Sequence, residues 1–254
     1  MEGKRVLLVG LVLLTFGGWV GAQNLYAFFY SRSAGQDLEI NLINLTATAS
    51  QYTLTVYDAW GDELWAAQGE LAPYDATFHP LGRVVPEGDT NWGLGLVVSE
   101  QPLLIGLEYS VDGKLHSVDI VDTPLPAIPA GTSTMLGAYY TQVGESISSV
   151  VVMNPGGQEV LGKLTVFKSD GTPLQEVDFT LAPHESSAYN MAQLVGQGSR
   201  NWGLVRVAVR DGYVVLACKY LKDQALQVKN VSGIYSLTVA EPQGAPATPG
   251  QKED

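Results

Sequence analysis

The chain carries the same text twice. At an offset of 110 residues, Leu71-Ala72-Pro73 returns as Leu181-Ala182-Pro183 and Leu54-Thr55-Val56 as Leu164-Thr165-Val166. Asn91-Trp92-Gly93-Leu94 returns as Asn201-Trp202-Gly203-Leu204. Asn44 matches Asn154 and Tyr30 matches Tyr140 at the same spacing. Residues 71–100 and 181–210 share 10 identities in 30 ungapped positions, and one inserted residue then brings Tyr109 onto Tyr220. A period this long is a whole domain, because solenoid repeats run only about 20–50 residues. Whatever fold one copy adopts, the other must adopt too.

Each copy reads as all-β. The segment YTLTVYD, Tyr52 to Asp58, alternates small polar with large apolar residues, and Leu161–Lys168 does the same in the second copy. That period of two, in β-branched and aromatic residues, is the mark of a half-buried strand. Similar short runs occur at Gln36–Leu45, Glu63–Gly69, Gly93–Ser99, Leu103–Ser110 and Lys114–Val121. Trp60-Gly61-Asp62, Asp112-Gly113, Asp170-Gly171 and Asp211-Gly212 separate such runs. Asp-Gly between alternating segments predicts a hairpin, since the tight turn needs positive φ. One helical turn is expected at Asn190–Leu194 and another at Pro80–Val84. Seven or eight short strands in ~100 residues predict a β-sandwich. The expected fold is therefore two tandem antiparallel β-sandwich domains related by duplication and preceded by a signal-peptide helix. The boundaries read as signal peptide 1–22, first sandwich 23–122, Pro-rich linker 123–133, second sandwich 134–240 and disordered tail 241–254.

The address comes from the N-terminus. Lys4 and Arg5 precede an apolar run from Val6 to Val20, and Val20 and Ala22 stand at −3 and −1 of a cut before Gln23. This is the pattern of a secretory signal peptide. The run is short for the ~30 Å of a bilayer's hydrocarbon core. The expected location is outside the cytoplasm, secreted or on the cell surface, with the periplasm as the alternative and no stable membrane span after cleavage.

The second copy runs VVVMNPGGQEVLGKLTVFKSDGTPL, then FTLAPHESSAYNM, then NWGLVRVAVRDGYVVLACKYL. An Asn-Pro strand end, an alternating strand, a Gly turn and a last strand ending in Tyr make it similar to a β-sandwich (Ig-like) module of secreted and surface bacterial proteins. It is also distantly similar to the β-sandwich of the sensory rhodopsin transducer family. The resemblance covers both copies and implies the fold; it brings no assigned chemistry and no catalytic residue.

Chemistry is sparse. The net charge of −12 argues against nucleic acid as partner, because phosphate backbones need a cationic face. The single cysteine, Cys218, excludes an intramolecular disulfide and a Cys-based zinc site, and its apolar strand predicts a buried, inert thiol. His79, His116 and His184 lack metal-ligand spacing. Asp58, Asp62 and Glu63 form an acidic cluster that reads as a solvated turn, with calcium as the lesser reading. No catalytic residue, metal ligand or cofactor is expected.

The aromatic residues are the candidate contacts. Asn91, Trp92 and Gly93, repeated as Asn201, Trp202 and Gly203, read as structural, with both tryptophans packed. Trp60 and Trp65 align with Asp170 and Gln175, so they read either as exposed and available to a sugar ring or a protein, or as packed against the linker or the second domain. Phe28 and Phe29 point to opposite faces of the first mature strand, and one face is free for a partner if that strand is an edge. The expected function is a secreted or cell-surface structural or interaction protein, with a protein partner or self-association. The alternative is a carbohydrate- or ligand-binding surface module using the exposed Trp of the first domain.

Overall fold

The computed structural model describes residues 23–127, 132–143, 146–196, 201–222, 225–231 and 235–237. The expected signal peptide and C-terminal tail lie outside the described residues. The first sandwich contains β1 (Asn24–Ser31), β2 (Gln36–Asn44), β3 (Ser50–Tyr57), β4 (Glu63–Leu71), β5 (Ala76–Pro80), β6 (Trp92–Ser99), β7 (Leu103–Val111) and β8 (Lys114–Val121). The second contains β9 (Ser133–Thr141), β10 (Ile147–Met153), β11 (Val160–Lys168), β12 (Pro173–Leu181), β13 (Ser186–Asn190), β14 (Trp202–Arg210), β15 (Val215–Lys222), β16 (Ala225–Val231) and β17 (Tyr235–Leu237). Both are all-β and antiparallel.

Duplication in sequence is duplication in topology. The first sandwich stacks a β1-β6-β3-β4 sheet on a β5-β2-β7-β8 sheet. The second stacks β12-β11-β14-β9-β17 on β13-β10-β15-β16, the same order with one short edge strand added. Alternation sets the cores. Leu54 and Val56 face inward from β3, as Leu164 and Val166 do from β11, and all four are fully buried. The two expected helical turns occur, as a 3-10 turn at Leu81–Arg83 and an α-turn at Met191–Val195. Asn190 caps the latter by accepting from the Ala192 N–H at 2.9 Å. The Asp112-Gly113 hairpin joins β7 to β8 with both residues at positive φ, 48° and 73°. Asp211-Gly212 differs from expectation. It connects β14 and β15, which lie in opposite sheets, so this turn crosses the sandwich. The dipeptide specifies a tight bend, and pairing of the flanking strands is decided elsewhere.

A duplicated clamp ties the strands together. Asn44 and Asn154 are fully buried. The Asn44 amide donates to the carbonyls of Thr48 and Ala72 at 2.8 and 3.0 Å, while its oxygen accepts from the Thr46 N–H at 3.0 Å. Asn154 does the same to Gln158 and Ala182 at 2.7 and 2.8 Å, and accepts from Gly156 at 2.9 Å. Each amide thus satisfies backbone groups of two separate loops that have no ladder partner.

The sandwiches are docked on each other. The outer face of β1 and β6, with Phe29 and Leu94, forms one apolar cluster with Val151, Met153, Val215, Ala217, Leu226 and Val228 of the second sandwich. β1 is an edge strand, and the Asn230 side chain accepts from the Phe29 N–H at 2.7 Å. Asp119, nearly buried, accepts from the Asn230 N–H at 2.7 Å and pairs with Lys229 at 2.9 Å. The Lys219 ammonium lies 5.1 Å from the Phe29 ring centroid. Leu125 of the Pro-rich segment donates to the Leu25 carbonyl at 2.6 Å, so the start of this segment runs along the edge of β1.

At the far side of this contact the His184 ring stacks on Tyr57, with centroids 4.2 Å apart. Burial holds the imidazoles of His184 and His79 below their ordinary value. The unfolded chain then takes up protons more readily than the folded one. Stability is complete above the ordinary histidine value and falls as pH drops through the lower, folded-state values. The melting temperature is expected to decrease between about pH 7.5 and about pH 5.5, and a His79→Gln, His184→Gln variant is expected to show a flatter profile.

Candidate functional site

The sequence candidates separate once their surroundings are known. Trp60 sits at the β3–β4 hairpin tip and is 67% exposed. The tip is held by Asp58, whose carboxylate accepts from the Trp60 and Asp62 N–H groups, both at 2.9 Å. This is what the aspartate of the acidic cluster does. Trp65 does not join Trp60 on a surface. It is half-buried against the first core, with its ring 5.7 Å from His79, which in turn meets the Tyr52 hydroxyl at 3.1 Å. Its register opposite Val56 turns it inward, which alignment with a Gln could not reveal.

Phe28 and Phe29 correct the expectation of a free face on the N-terminal strand. Phe28 fills the first core and Phe29 is covered by the second sandwich. The strand is an edge, but its outward face is already occupied within the chain. Asn91 and Asn201 play matching roles, donating to the carbonyls of Pro86 and of Val195 and Gly196 at 3.0–3.1 Å. Gly93 and Gly203 lie where a Cβ would meet the backbone of the neighbouring strand, at 2.8 Å from the Asp58 oxygen and 2.0 Å from the Phe167 oxygen. Trp92 is half-buried against Phe29, but Trp202 is 43% exposed, so one of the two repeated tryptophans is not packed away.

Trp202 marks the site that sequence reasoning missed. Tyr139, Phe167, Trp202, Leu204 and Arg206 line an open trough on the outer face of β9, β14 and β11. Tyr139 and Leu204 are directly paired and are 50% and 47% exposed. The Tyr139 and Trp202 rings lie 6.4 Å apart, tilted 45°. Arg206 lies 5.1 Å from the centroid of Phe167. Lys168 also lines the trough, and Glu176 faces Arg206 across Thr165. Such a surface has apolar area to desolvate and a delocalised cation at its edge. It can hold a partner by packing and charge.

This face is the repeat-mate of the one that docks the two sandwiches. Tyr139, Leu204, Trp202 and Phe167 occupy the positions of Phe29, Leu94, Trp92 and Tyr57. Phe29 and Trp92 also lie 6.4 Å apart, tilted 45°. The Tyr109 hydroxyl donates to the Phe29 carbonyl at 2.7 Å, and the Tyr220 hydroxyl to the Tyr139 carbonyl at 2.8 Å. The offset of 110 was the signal that pointed here, because it maps the covered face onto the open one.

The remaining chemistry is quiet. Cys218 is buried, which pushes its thiol up and away from the reactive thiolate. Among the described residues, no helix is long and apolar enough to cross a membrane, and no group of three His, Cys, Asp or Glu is placed to share a metal.

No protein-family model matches the chain, and no curated protein does. Solved structures do align with it. A calcium-binding mutant of Bacteroides uniformis beta-glucuronidase 2 matches over 85% of this chain and 27% of its own, at 11% identity and a TM-score of 0.18. A putative beta-galactosidase from Bacteroides fragilis matches over 87% and 33%, at 10% identity and a TM-score of 0.19. A glycosyl hydrolase family 2 member from Bacteroides cellulosilyticus matches over 84% and 28%, at 11% identity and a TM-score of 0.18. This chain therefore spans a third or less of the length of these proteins. Similarity at this level carries over none of their properties.

Proposed function

We propose that the chain is a secreted or cell-surface structural and interaction protein that works by contact, without catalysis, through the exposed aromatic face of its second sandwich. The observation that carries this is the difference in cover between two faces of one design. Phe29 and Leu94 are 1% and 0% exposed because the second sandwich sits on them, while Tyr139 and Leu204 are about half exposed. A contiguous apolar face with a polar rim marks an interaction surface. The leader-like N-terminus and the strand and turn motifs shared with bacterial surface modules support the address.

The test is retention on the envelopes of the source cells. Full-length protein is expected outside the cytoplasm with Gln23 at its N-terminus, and it is expected to co-sediment with isolated envelopes. Leu204→Asp, at an exposed position, is expected to lower that retention by at least about tenfold while leaving the melting temperature nearly unchanged. Equal retention of the variant would remove this face from the function.

Trp60 favours a second reading, a carbohydrate-binding surface. A flat exposed indole at a hairpin tip suits the apolar face of a sugar ring. Affinity electrophoresis in soluble polysaccharides should then retard the protein, and Trp60→Ala should abolish the retardation. No retardation of the parent protein would exclude it.

A further inference from the structure

Taking the second-sandwich face as the contact surface, we infer that its occupant is the first sandwich of another copy of this chain, docked head to tail. The intramolecular interface supplies the template. There the second sandwich uses the outer face of β10, β15 and β16 to cover Phe29 and Leu94. The repeat places a homologous outer face on β2, β7 and β8. Strand β16 packs along the β8 edge through His116, Ser117 and Asp119, but the outward side chains Leu115, Val118 and Ile120 stay exposed.

That tail face is apolar along β8, where the template uses β16. On β16, Leu226 and Val228 are buried against the first sandwich. The registers of the β15–β16 and β7–β8 pairs place Val118 where Val228 lies and Leu115 where Leu226 lies. Leu115, Val118 and the neighbouring outward residue Ile120 are 61%, 51% and 56% exposed. Three large aliphatic side chains in solvent on one edge strand are an association liability unless they meet something.

The charges are exchanged in step. At the template interface the Lys219 ammonium lies over the Phe29 ring. At the tail face the position of Lys219 is held by Glu108, directly paired with Glu39. Two carboxylates facing each other across adjacent strands repel, and a cation relieves them. At the head face Phe29 becomes Tyr139, whose hydroxyl can donate to a carboxylate, and Leu96 becomes Arg206. Lysine over phenylalanine is thus replaced by glutamate facing tyrosine and arginine. Two template contacts have no counterpart. Asn41, whose amide donates to Glu108 at 3.2 Å, stands at the place of the buried Val151. Ile120 stands at the place of Asn230 and cannot accept from a strand edge as Asn230 does at 2.7 Å. The contact between copies is therefore weaker than the contact within one, and it assembles with concentration. A contact between unlike faces does not close on itself as a two-fold pair does; repeated, it gives rings or filaments.

The experiment is sedimentation velocity on the mature chain, residues 23–254, across a concentration series. The parent protein is expected to grow in size with concentration. Leu204→Asp blocks the head and Val118→Asp blocks the tail. Each alone is expected to stay monomeric with an unchanged melting temperature, and their mixture is expected to give a one-to-one dimer and nothing larger. Arg206→Glu should weaken association by at least about tenfold, and Glu108→Arg in the same chain should restore it. A parent chain that is monomeric at every concentration overturns the inference. So does growth that persists in Leu204→Asp, or a mixture that stays monomeric while the parent grows. Failure of the functional reading is read separately. A monomer whose envelope retention still depends on Leu204 keeps that face as the contact surface and removes the second copy as its occupant.

Discussion

Phe29→Ala is expected to destabilise the chain by about 3–4 kcal/mol, the usual cost of emptying a buried phenylalanine site. The ring is held between the outer face of the first sandwich and the Lys219 side chain of the second. Removing it takes away the apolar centre of the domain contact and leaves the Lys219 ammonium half-buried with less to face. Burial already holds that ammonium below its ordinary value, so the group has no surplus stabilisation to absorb the loss. The two sandwiches are therefore expected to unfold in separate steps in the variant, and urea titration followed by tryptophan fluorescence should show the second step. Tyr139→Ala is the control, at the repeat-equivalent position with the same ring geometry toward a tryptophan. Because Tyr139 is half exposed, its loss is expected to cost under about 1 kcal/mol and to leave the transition single. Equal costs at the two positions would mean that the domain contact contributes nothing to stability.

Asn44→Ala is expected to cost about 3 kcal/mol, and Asn154→Ala a similar amount. In each case a fully buried amide holds two loop carbonyls and one loop N–H. Alanine removes three hydrogen bonds and the amide that joins the two loops; the Ala72 and Ala182 carbonyls keep only the turn N–H groups of Asp75 and Glu185, and each lost bond costs about 1 kcal/mol. Asn44→Asp is expected to be no better, because it keeps the acceptor for Thr46 but aims a second oxygen at the Thr48 and Ala72 carbonyls. Thermal or urea unfolding of the three variants checks this. A mild Asn44→Asp phenotype would show that the Nδ2 donations are dispensable.

Much of the fold could be read from particular residues. The repeat of Leu-Ala-Pro and Asn-Trp-Gly-Leu established that one topology is used twice. The alternation in YTLTVYD located β3, and Asn190 located the α-turn. These features are local, set by backbone conformation and by a period of two along each strand. Sheet membership was less legible. The Asp211-Gly212 turn has the same chemistry as a hairpin, yet it crosses between sheets, because strand pairing depends on contacts far along the chain.

The candidate site lay beyond what the text could decide. Phe29 and Tyr139 are aromatic residues at equivalent repeat positions on β1 and β9, and Trp92 and Trp202 belong to one repeated motif. Burial is a property of what lies opposite, and only the docking of the second sandwich on the first determines which of the two faces is covered. Trp65 likewise aligns with a Gln in its sister copy, which leaves exposure and packing both open, and its register turns it inward against His79. The sequence alone determined the duplication, the β periodicity and the positions of the turns, since these follow from neighbours along the chain. The tertiary structure decided which repeated face is spent within the molecule and which is left open, because packing between distant segments removes one from water and not the other.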